Sequence, residues 1–439
     1  MVFGVGIISF YPLELWGNHV NFTNMTKKTP FLAPLQPTLK TTKKIASSAN
    51  LLTALGLDES ELSSALAMTP AERYTAKKVP KSSGGERTVH IPHPLIKKIQ
   101  RRINNRILSK IVIWPYYLFG SVPSEIDVLY EDEILKRDYI SCAQQHCRAK
   151  SILKYDIENF FDHIHYDLVY EIFKNFFNYN DETSKTLSNL CCMESDDGHH
   201  IVQGAPTSSY LACLCLWDIE HKVVTRLERK NLVYTRLVDD ITISSKIHDY
   251  NFENAKKSIE DMIHGKDFPI NKAKSRTFSI SNEPLLVHGL RVNFNTPRLP
   301  SDEVGRIRAA VKNIELRAAK NNFRTSKAYR KAFEKCLGRV HKLARVGHNA
   351  HIKLRDRLLK IKPLPSMRDI NMVKRYIDRL EVQAKSGVDD IKYSRSYHII
   401  MYYLNIINRT ERYQSLVSEL RARLHLITPS KEDRGTYFD

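Results

Sequence analysis

The chain has 439 residues, of which 42% are hydrophobic and 26% are charged, values typical of a soluble globular protein with two or three domains. Its formal net charge of +20 at pH 7 predicts a polyanionic partner, and nucleic acid is the first candidate. An anionic membrane surface is the weaker alternative, because no long apolar run could insert into a bilayer. We therefore expect no membrane partner.

The cysteines and the first 20 residues bear on the compartment. The seven cysteines show no CxxC spacing, which disfavours a zinc site, and their odd number argues against a disulfide framework. The opening 20 residues are apolar but lack a basic start and a small-residue cleavage site. We expect them to belong to the folded protein and not to a signal peptide, and we expect a cytoplasmic location.

Residues 1–70 form an N-terminal extension with an apolar opening, a Thr/Lys/Pro-rich stretch and two predicted helices, the second capped by Asp58 or Ser60. Residues 74–92 contain two strand-like runs joined by a Ser/Gly turn and predict a β-hairpin. Residues 93–112 repeat apolar residues at helical spacing with basic residues between them, which predicts an amphipathic helix.

Residues 71–300 are predicted to form an α+β region, followed by a helical one. The elements expected after the first helix are a buried strand in 150–161, a short helix in 167–177, a turn and one long helix in 204–230, a strand hairpin in 234–244, a helix in 253–266, extended pieces in 276–281 and 285–293, and helices after Pro300 that are interrupted near Pro363 and Pro365. The helical part divides into a basic segment, 301–365, and a less basic extension, 366–439.

The net charge is concentrated between Arg306 and Lys362. This segment has 18 Lys and Arg residues against three acids, so it supplies +15 of the +20. A run of charge is usually a solvated helix face, but such faces mix both signs. The excess of one sign therefore predicts contact with phosphates.

Three aspartates are candidates for a metal site. Asp239 and Asp240 are adjacent among strand-forming residues, where a hairpin would turn, and an ordinary surface turn would explain this pair by itself. Asp156, however, closes an apolar strand, where a carboxylate is costly unless it is paired or coordinated. If the three converge, they could hold two Mg²⁺ ions about 4 Å apart and support an in-line displacement, which is the chemistry of a polymerase.

Ordered segments between residues 74 and 362 resemble those of reverse transcriptases. The segments around Asp156, Gln203 and Asp239 are similar to three successive palm motifs of that family, in order and in spacing. Other segments are similar to the fingers hairpin (79–92), the motifs that follow the aspartate pair (269–279 and 285–293), the thumb (336–349), and the Asn-Ala-x-x-His and Val-Thr-Gly elements of bacterial retron enzymes (142–146 and 287–289). The resemblance is to bacterial retron-type reverse transcriptases, which include retron and defence-associated enzymes.

Three positions depart from the pattern of this family. Leu237 stands where Tyr usually precedes x-Asp-Asp, Cys142 replaces Asn, and His288 replaces Thr. These departures favour a divergent, defence-associated enzyme, with a retron enzyme as the alternative. They leave every predicted metal-binding carboxylate in place.

The resemblance implies that Asp156, Asp239 and Asp240 bind the metals, with two Mg²⁺ as the expected ions and Mn²⁺ as the alternative. Lys274 could donate a proton to the leaving pyrophosphate, although Lys272 competes for this role and a plain surface lysine is an equal alternative.

Four further residues are expected at the nucleotide. Lys81 and Arg87 flank a Gly-Gly turn, where they can reach an incoming triphosphate; a solvated hairpin is the alternative. Gln203 and Gly204 open the second palm motif, where the resemblance implies a floor for the sugar and base and glycine permits a close backbone approach.

Two adjacent aromatic residues follow the first metal aspartate. The resemblance implies that one of them stacks under the deoxyribose and excludes a 2′-hydroxyl. Phe161 is the first choice, and core packing is then expected for Phe160.

The implied fold is a right-hand polymerase of the α+β class, with fingers and palm in residues 71–300, a basic helical thumb in 301–365 and a helical extension in 366–439. The implied activity is RNA-directed DNA polymerisation, which uses dNTPs and an RNA template and makes a DNA product. The resemblance also implies a role in antiphage defence, with a dedicated noncoding RNA and an accessory defence protein as candidate partners. A catalytically idle nucleic-acid scaffold stays open, as does a group II intron enzyme, for which the tail after residue 366 lacks a His/Cys cluster.

Overall fold

The computed structural model describes residues 34–80, 84–126, 134–195, 198–386 and 391–429. The chain divides after Arg298 into two compact units. The expectation that the first 20 residues are part of the fold lies outside the described residues, as does the predicted role of Lys81.

The first unit combines short strands with helices. Its strands are β1 (Thr38–Leu39), β2 (Tyr74–Pro80), β3 (Glu86–Pro92), β4 (Val112–Ile113), β5 (Leu118–Phe119), β6 (Glu125–Ile126), β7 (Ile134–Leu135), β8 (Ser151–Asp156), β9 (Met193–Ser195), β10 (Gly198–His200), β11 (Val233–Leu237), β12 (Asp240–Ser245), β13 (Arg276–Ser279), β14 (Leu286–Val287) and β15 (Leu290–Arg291). Its α-helices are α1 (Ser48–Leu55), α2 (Glu59–Ala67), α3 (Pro70–Arg73), α4 (Pro94–Ile103), α5 (Ser109–Ile111), α6 (Tyr139–Gln145), α7 (Tyr166–Glu171), α8 (Asp181–Cys191), α9 (Ser208–Leu214), α10 (Glu220–Glu228) and α11 (Glu253–His264).

A five-stranded sheet in the order β13-β8-β12-β11-β5 forms the centre of this unit. All neighbours pair antiparallel except β11 and β5, which are parallel. Strands β8 and β12 are buried over almost their whole length, which suits the apolar Ile152 and Leu153 of β8 and the β-branched residues 241–243 of β12. The predicted buried strand before Asp156 and the predicted hairpin before and after Asp239 are both confirmed.

The single long helix predicted over 204–230 is wrong, because the structure has two helices there, α9 and α10. Arg236, on the neighbouring strand β11, donates to the carbonyl oxygens of Ala212 (3.0 Å) and Cys213 (2.8 Å) at the end of α9. A guanidinium that satisfies these carbonyls removes the need for a further helical turn. A distant residue therefore ends a helix that the local sequence would have continued.

The same guanidinium forms a buried ion pair with Glu220, the first residue of α10. Nε lies 2.6 Å from Oε1, and the second nitrogen lies 2.7 Å from Oε2, in a two-pronged arrangement. Tyr234 donates to the same carboxylate at 2.7 Å. Both charged side chains are almost fully buried, so the ion pair fixes the position of α10 relative to strand β11.

The second unit is entirely helical in its described part, as predicted. It contains α12 (Ser301–Ala318), α13 (Lys327–Arg345), α14 (Ala350–Leu359), α15 (Met367–Lys385), α16 (Ile391–Ile407) and α17 (Gln414–Leu426). Helices α12–α14 enclose one apolar core and α15–α17 a second. The predicted interruption at the two prolines falls between α14 and α15, and Arg330 bridges the two helical groups through Asp369 (2.6 Å).

No helix among the described residues is long and apolar enough to cross a bilayer.

Candidate active site

The sheet brings the predicted aspartates to one end of two neighbouring strands. Asp240, the first residue of β12, pairs directly with Asp156, the last residue of β8. Asp239 lies in the two-residue turn between β11 and β12, and its carbonyl oxygen accepts from the Ile157 N–H at 3.4 Å. The backbone register therefore places all three residues at the same end of strands β8 and β12.

The turn that carries Asp239 has an unfavourable backbone conformation. Val238 has φ of +61°, a region that β-branched residues rarely adopt and that costs about 1–3 kcal/mol. Arg236 donates to the carbonyl oxygen of Val238 at 3.1 Å, and Gly120 packs so closely that a Cβ there would lie 3.2 Å from the Val238 side chain. The buried ion pair of Arg236 and the tight packing at Gly120 hold this turn in place.

The electrostatics of the three aspartates differ. Burial, together with the negative charges of Asp156 and Asp240, raises the pKa of Asp239 to about 6. The charge of Asp156 is compensated in part by Lys274, whose Nζ lies 3.0 Å from Oδ2, and the same oxygen accepts a hydrogen bond from Asn271 Nδ2 at 3.2 Å.

Asp240 has a buried oxygen that lacks a hydrogen-bond donor. The Nδ1 of His288 lies 3.3 Å from Asp240 Oδ2, within ion-pair distance. That approach lacks hydrogen-bond geometry, so Oδ2 has no hydrogen-bond partner among the described residues. A buried carboxylate oxygen without a donor is costly unless a cation is supplied.

These observations fit a site for divalent cations, although the carboxylates do not form a ready-made cage. Among the described residues, no three His, Cys, Asp or Glu side chains are grouped closely enough to hold a metal ion. Asp156 instead pairs with the ammonium of Lys274. The carboxylate of Asp239, which repels its neighbours, and the unsatisfied oxygen of Asp240 are the groups that a cation would relieve.

The hairpin of β2 and β3 lies against the second predicted palm motif. The His90 N–H donates to the Gln203 carbonyl oxygen at 2.7 Å, and a Cβ on Gly204 would lie 2.5 Å from the His90 carbonyl oxygen. The close backbone approach at Gly204 is therefore to strand β3. Arg87, on the same strand, has a buried Nε with no hydrogen-bond partner among the described residues, and it stays a candidate for binding an anion.

The two aromatic residues after Asp156 have different environments. Phe160 is buried and packs edge-on against Phe268, with ring centroids 5.2 Å apart. Phe161 packs on the rim of the same core and is only partly buried. Phe161 is thus the more accessible of the pair, and its role at the sugar stays a prediction.

Sequence reasoning did not identify three side chains that act on the aspartates. Asn271 bonds Asp156, Arg236 holds the turn at Val238, and His288 approaches Asp240. For His288 a signal existed, since it is one of the positions that depart from the pattern of retron enzymes. Arg236 carried no such signal, because only the folded chain brings Glu220 to it.

A family model described as reverse transcriptase (RNA-dependent DNA polymerase) matches residues 79–324, more than half of the chain. The class that the sheet, the aspartates and this match define is therefore RNA-directed DNA polymerase.

Two curated relatives narrow this class. The chain is 45% identical to the Retron Ec48 reverse transcriptase of Escherichia coli, over 91% of this chain and 97% of that protein. It is 30% identical to the Retron Se72 reverse transcriptase of Salmonella heidelberg, over 79% of this chain and 86% of that protein. The chain thus belongs to the retron-type reverse transcriptases. The retron branch, which the sequence analysis kept as the alternative, is the one that the relatives support.

Solved structures similar to the chain include a telomerase from Candida albicans in complex with a fragment of telomeric RNA. The two chains are 13% identical, with 79% of this chain and 66% of the telomerase covered, and the TM-score is 0.35.

The raised pKa of Asp239 leads to a prediction about the protein without metal. An acid whose pKa is raised in the folded state destabilises that state. This destabilisation grows as the pH rises from the pKa of the acid in the unfolded state to its pKa in the folded state. In EDTA, Asp239→Asn should therefore stabilise the fold by about 2 kcal/mol above pH 6, after allowance for its partial exposure, and by little near pH 4. Thermal unfolding at pH 4 and pH 8 measures this difference. Equal stabilisation by Asp239→Asn at both pH values would contradict the repulsion of the Asp239 carboxylate by Asp156 and Asp240.

Proposed function

We propose that this reverse transcriptase uses Asp156, Asp239 and Asp240 to bind two Mg²⁺ ions, with which it adds dNTPs to a primer 3′-hydroxyl. The single observation that carries the proposal is the register that pairs Asp240 with Asp156 beside the turn of Asp239. Carboxylate oxygens are the preferred ligands of Mg²⁺, which keeps positions for substrate phosphates. Mn²⁺ is the alternative ion at the same ligands.

Asp156, Asp239 and Asp240 would hold the two ions, whose charge would favour ionisation of the attacking hydroxyl and would stabilise the leaving oxygen of the pyrophosphate. The chain provides the rest of the site. Lys274 carries a proton beside Asp156, from where we propose that it protonates the leaving pyrophosphate. Arg87, with Lys81 outside the described residues, would hold the triphosphate, because a guanidinium binds phosphate oxygens in a fixed fork.

We assign recognition of the nucleotide to the surface around Phe161. Its partial exposure, one residue beyond the buried Phe160, supports a contact with the deoxyribose. Gln203 and Gly204 would support the sugar and base from the second palm motif. The contact of their backbone with strand β3 supports this role, since it fixes their position relative to Arg87.

The basic segment of the second unit would hold the duplex of template and product by its phosphates. The three acids of this segment are engaged by neighbouring groups: Glu315 by Arg357 (2.7 Å), Asp356 by Arg355 (3.1 Å), and Glu334 by the hydroxyl of Tyr402. They are therefore poorly placed to neutralise the rest of the surface. Contacts with phosphates hold a duplex without regard to its sequence.

We further propose that the RNA template is a dedicated noncoding RNA and that the enzyme works in the cytoplasm. The names of the retron relatives support the first statement, and seven free cysteines suit a reducing compartment. An antiphage role with an accessory protein stays a prediction from the family resemblance.

The two-metal proposal predicts the loss of dNTP incorporation in the double variant Asp239→Asn/Asp240→Asn. Amides occupy the same volume as carboxylates but are far poorer Mg²⁺ ligands. Primer extension on an RNA template should fall below a tenth of the wild-type rate, which raises the barrier by more than about 1.4 kcal/mol. Asp261→Asn on the exposed face of α11 is the matched control. Activity above that limit in a folded double variant would refute the proposal, and a wild type that binds template but never extends it would favour the idle scaffold.

The phosphate-contact proposal concerns four exposed residues of α13: Lys331, Lys335, Arg339 and Lys342. Replacing all four with Gln should weaken binding of the primer–template equally for unrelated sequences. The slope of log affinity against log salt should fall by about one unit for each lost phosphate contact. Fluorescence anisotropy over a series of salt concentrations measures this slope, and an unchanged slope would remove the support for a phosphate-binding thumb. Activity at saturating primer–template should change much less.

The template proposal predicts which nucleic acid copurifies with the protein. After nuclease trimming and sequencing, a single RNA species should dominate over bulk cellular RNA, with DNA complementary to it in the wild type. The double aspartate variant should retain the RNA and lose the DNA. A random sample of cellular RNA in both proteins would contradict a dedicated template.

A further inference from the structure

A second tight hairpin presents His288 to the aspartates. Strands β14 and β15 are joined by His288 and Gly289, whose φ angles are +48° and +80°. Two consecutive positive φ values are typical of a type I′ turn, where Asn-Gly is the favoured pair. The residues on each side, Val287 and Leu290, are buried and pair with each other, so the tip of this hairpin is firmly placed.

The imidazole of His288 lies between Asp240 and Cys142. Its Nδ1 is 3.3 Å from Asp240 Oδ2, and its Nε2 is 3.2 Å from Cys142 Sγ. The side chain is only 6% exposed, so solvent does not compete for either nitrogen. Each ring nitrogen therefore faces one specific partner.

The contact at Cys142 continues into a chain of buried polar side chains. The Cys142 thiol donates a hydrogen bond to Thr235 Oγ1 (3.2 Å). His146 is hydrogen-bonded through Nε2 to Thr235 Oγ1 (2.7 Å) and through Nδ1 to Ser244 Oγ (2.7 Å). Burial lowers the pKa of His146 to about 3 and raises the pKa of the Cys142 thiol to about 12. The imidazole of His146 is therefore neutral and the thiol keeps its proton at neutral pH.

We propose that His288 is a positioning residue for Asp240: its Nδ1 lies within ion-pair distance of Oδ2 of that carboxylate, and the chain from Cys142 to Ser244 holds the ring at this place. The inference rests on the proposed function, in which Asp240 binds a metal ion.

The chemistry of Asp240 and Cys142 indicates which ring nitrogen of His288 carries the proton. An ionised carboxylate only accepts hydrogen bonds, so the nitrogen that faces it must carry a proton. In a neutral ring, Nε2 then carries no proton, and it lies 3.2 Å from the sulfur of Cys142, whose thiol donates to Thr235 Oγ1. With the imidazole 3.3 Å from Oδ2, the carboxylate of Asp240 cannot rotate freely, so its oxygens stay oriented for a cation. Such support of a ligand is worth about 10- to 100-fold in metal affinity.

The same arrangement accounts for the departures from the family pattern. Cys142 and His288, which replace the usual Asn and Thr, are in direct contact. Leu237, which replaces the usual Tyr, packs with Cys142 and Phe119 in one small apolar cluster. The three departures are thus neighbours in space, although they are far apart in sequence, and we interpret them as a single coupled change.

The test compares metal binding in three variants. His288→Asn removes the ring but keeps the turn, because Asn-Gly is the favoured type I′ pair. We expect Mn²⁺ to bind the nucleic-acid-free His288→Asn protein about tenfold more weakly, measured by electron paramagnetic resonance. Cys142→Ala should weaken binding by a smaller factor, whereas Cys142→Ser should stay within about twofold of the wild type because its hydroxyl still bonds the ring. His248→Asn, at an exposed position, is the matched control.

Two further measurements separate positioning from a general loss of structure. In metal-free protein labelled with ¹⁵N-histidine, His288 should show a protonated Nδ1. The Mg²⁺ concentration for half-maximal primer extension should rise in His288→Asn, while the KM for primer–template stays constant. In the His288→Asn background, Cys142→Ala should add no further loss of Mn²⁺ affinity, because both residues act through one contact.

Each outcome decides the proposal. Unchanged Mn²⁺ affinity in His288→Asn, combined with a lost site in Asp240→Asn, would overturn the positioning role and leave the proposed function intact. Unchanged affinity in both variants would overturn the proposed function itself. An unprotonated Nδ1, or additive effects of the two substitutions, would overturn the coupled chain.

Discussion

The pairing of β12 with β8 is the constraint on which the site depends. Because side chains alternate along a strand, a shift of one residue would move Asp240 to the opposite face from Asp156. The register is secured by the buried apolar residues of both strands, which would be turned towards the wrong face by the same shift. Core packing therefore sets the positions of the carboxylates, and the pairing of the two strands does not depend on them.

A second constraint acts on the turn between β11 and β12. Its valine lies in an unfavourable region of backbone space, and its carbonyl oxygen is held by a buried arginine. That arginine is itself held by Glu220 and by the end of α9. Strain at the site is thus offset by an ion pair and backbone contacts outside it. The turn cannot relax without removing one hydrogen-bond acceptor from a buried guanidinium.

Other side chains of the protein compensate part of the negative charge of the three aspartates. Lys274 and Asn271 satisfy Asp156, and His288 approaches Asp240, while Asp239 responds to its neighbours by a raised pKa. Lys274 and Asn271 come from the loop before β13 and both meet Asp156, whereas His288 comes from the turn between β14 and β15 and faces Asp240. The cluster is consequently stable enough to fold while it keeps one aspartate and one buried oxygen poorly satisfied, and these are the features that a cation relieves.

The sequence by itself determined the strands before Asp156 and beside Asp239, the helical nature of the part after Pro300, and the family, because these depend on local patterns and on the order of short motifs. Only the tertiary structure decided where α9 ends, since its last carbonyls are taken by Arg236 from another strand. It also decided that Leu237, Cys142 and His288 are neighbours. A single sequence shows which residues are unusual, but contacts between residues distant in the chain arise only when the sheet and its hairpins pack together.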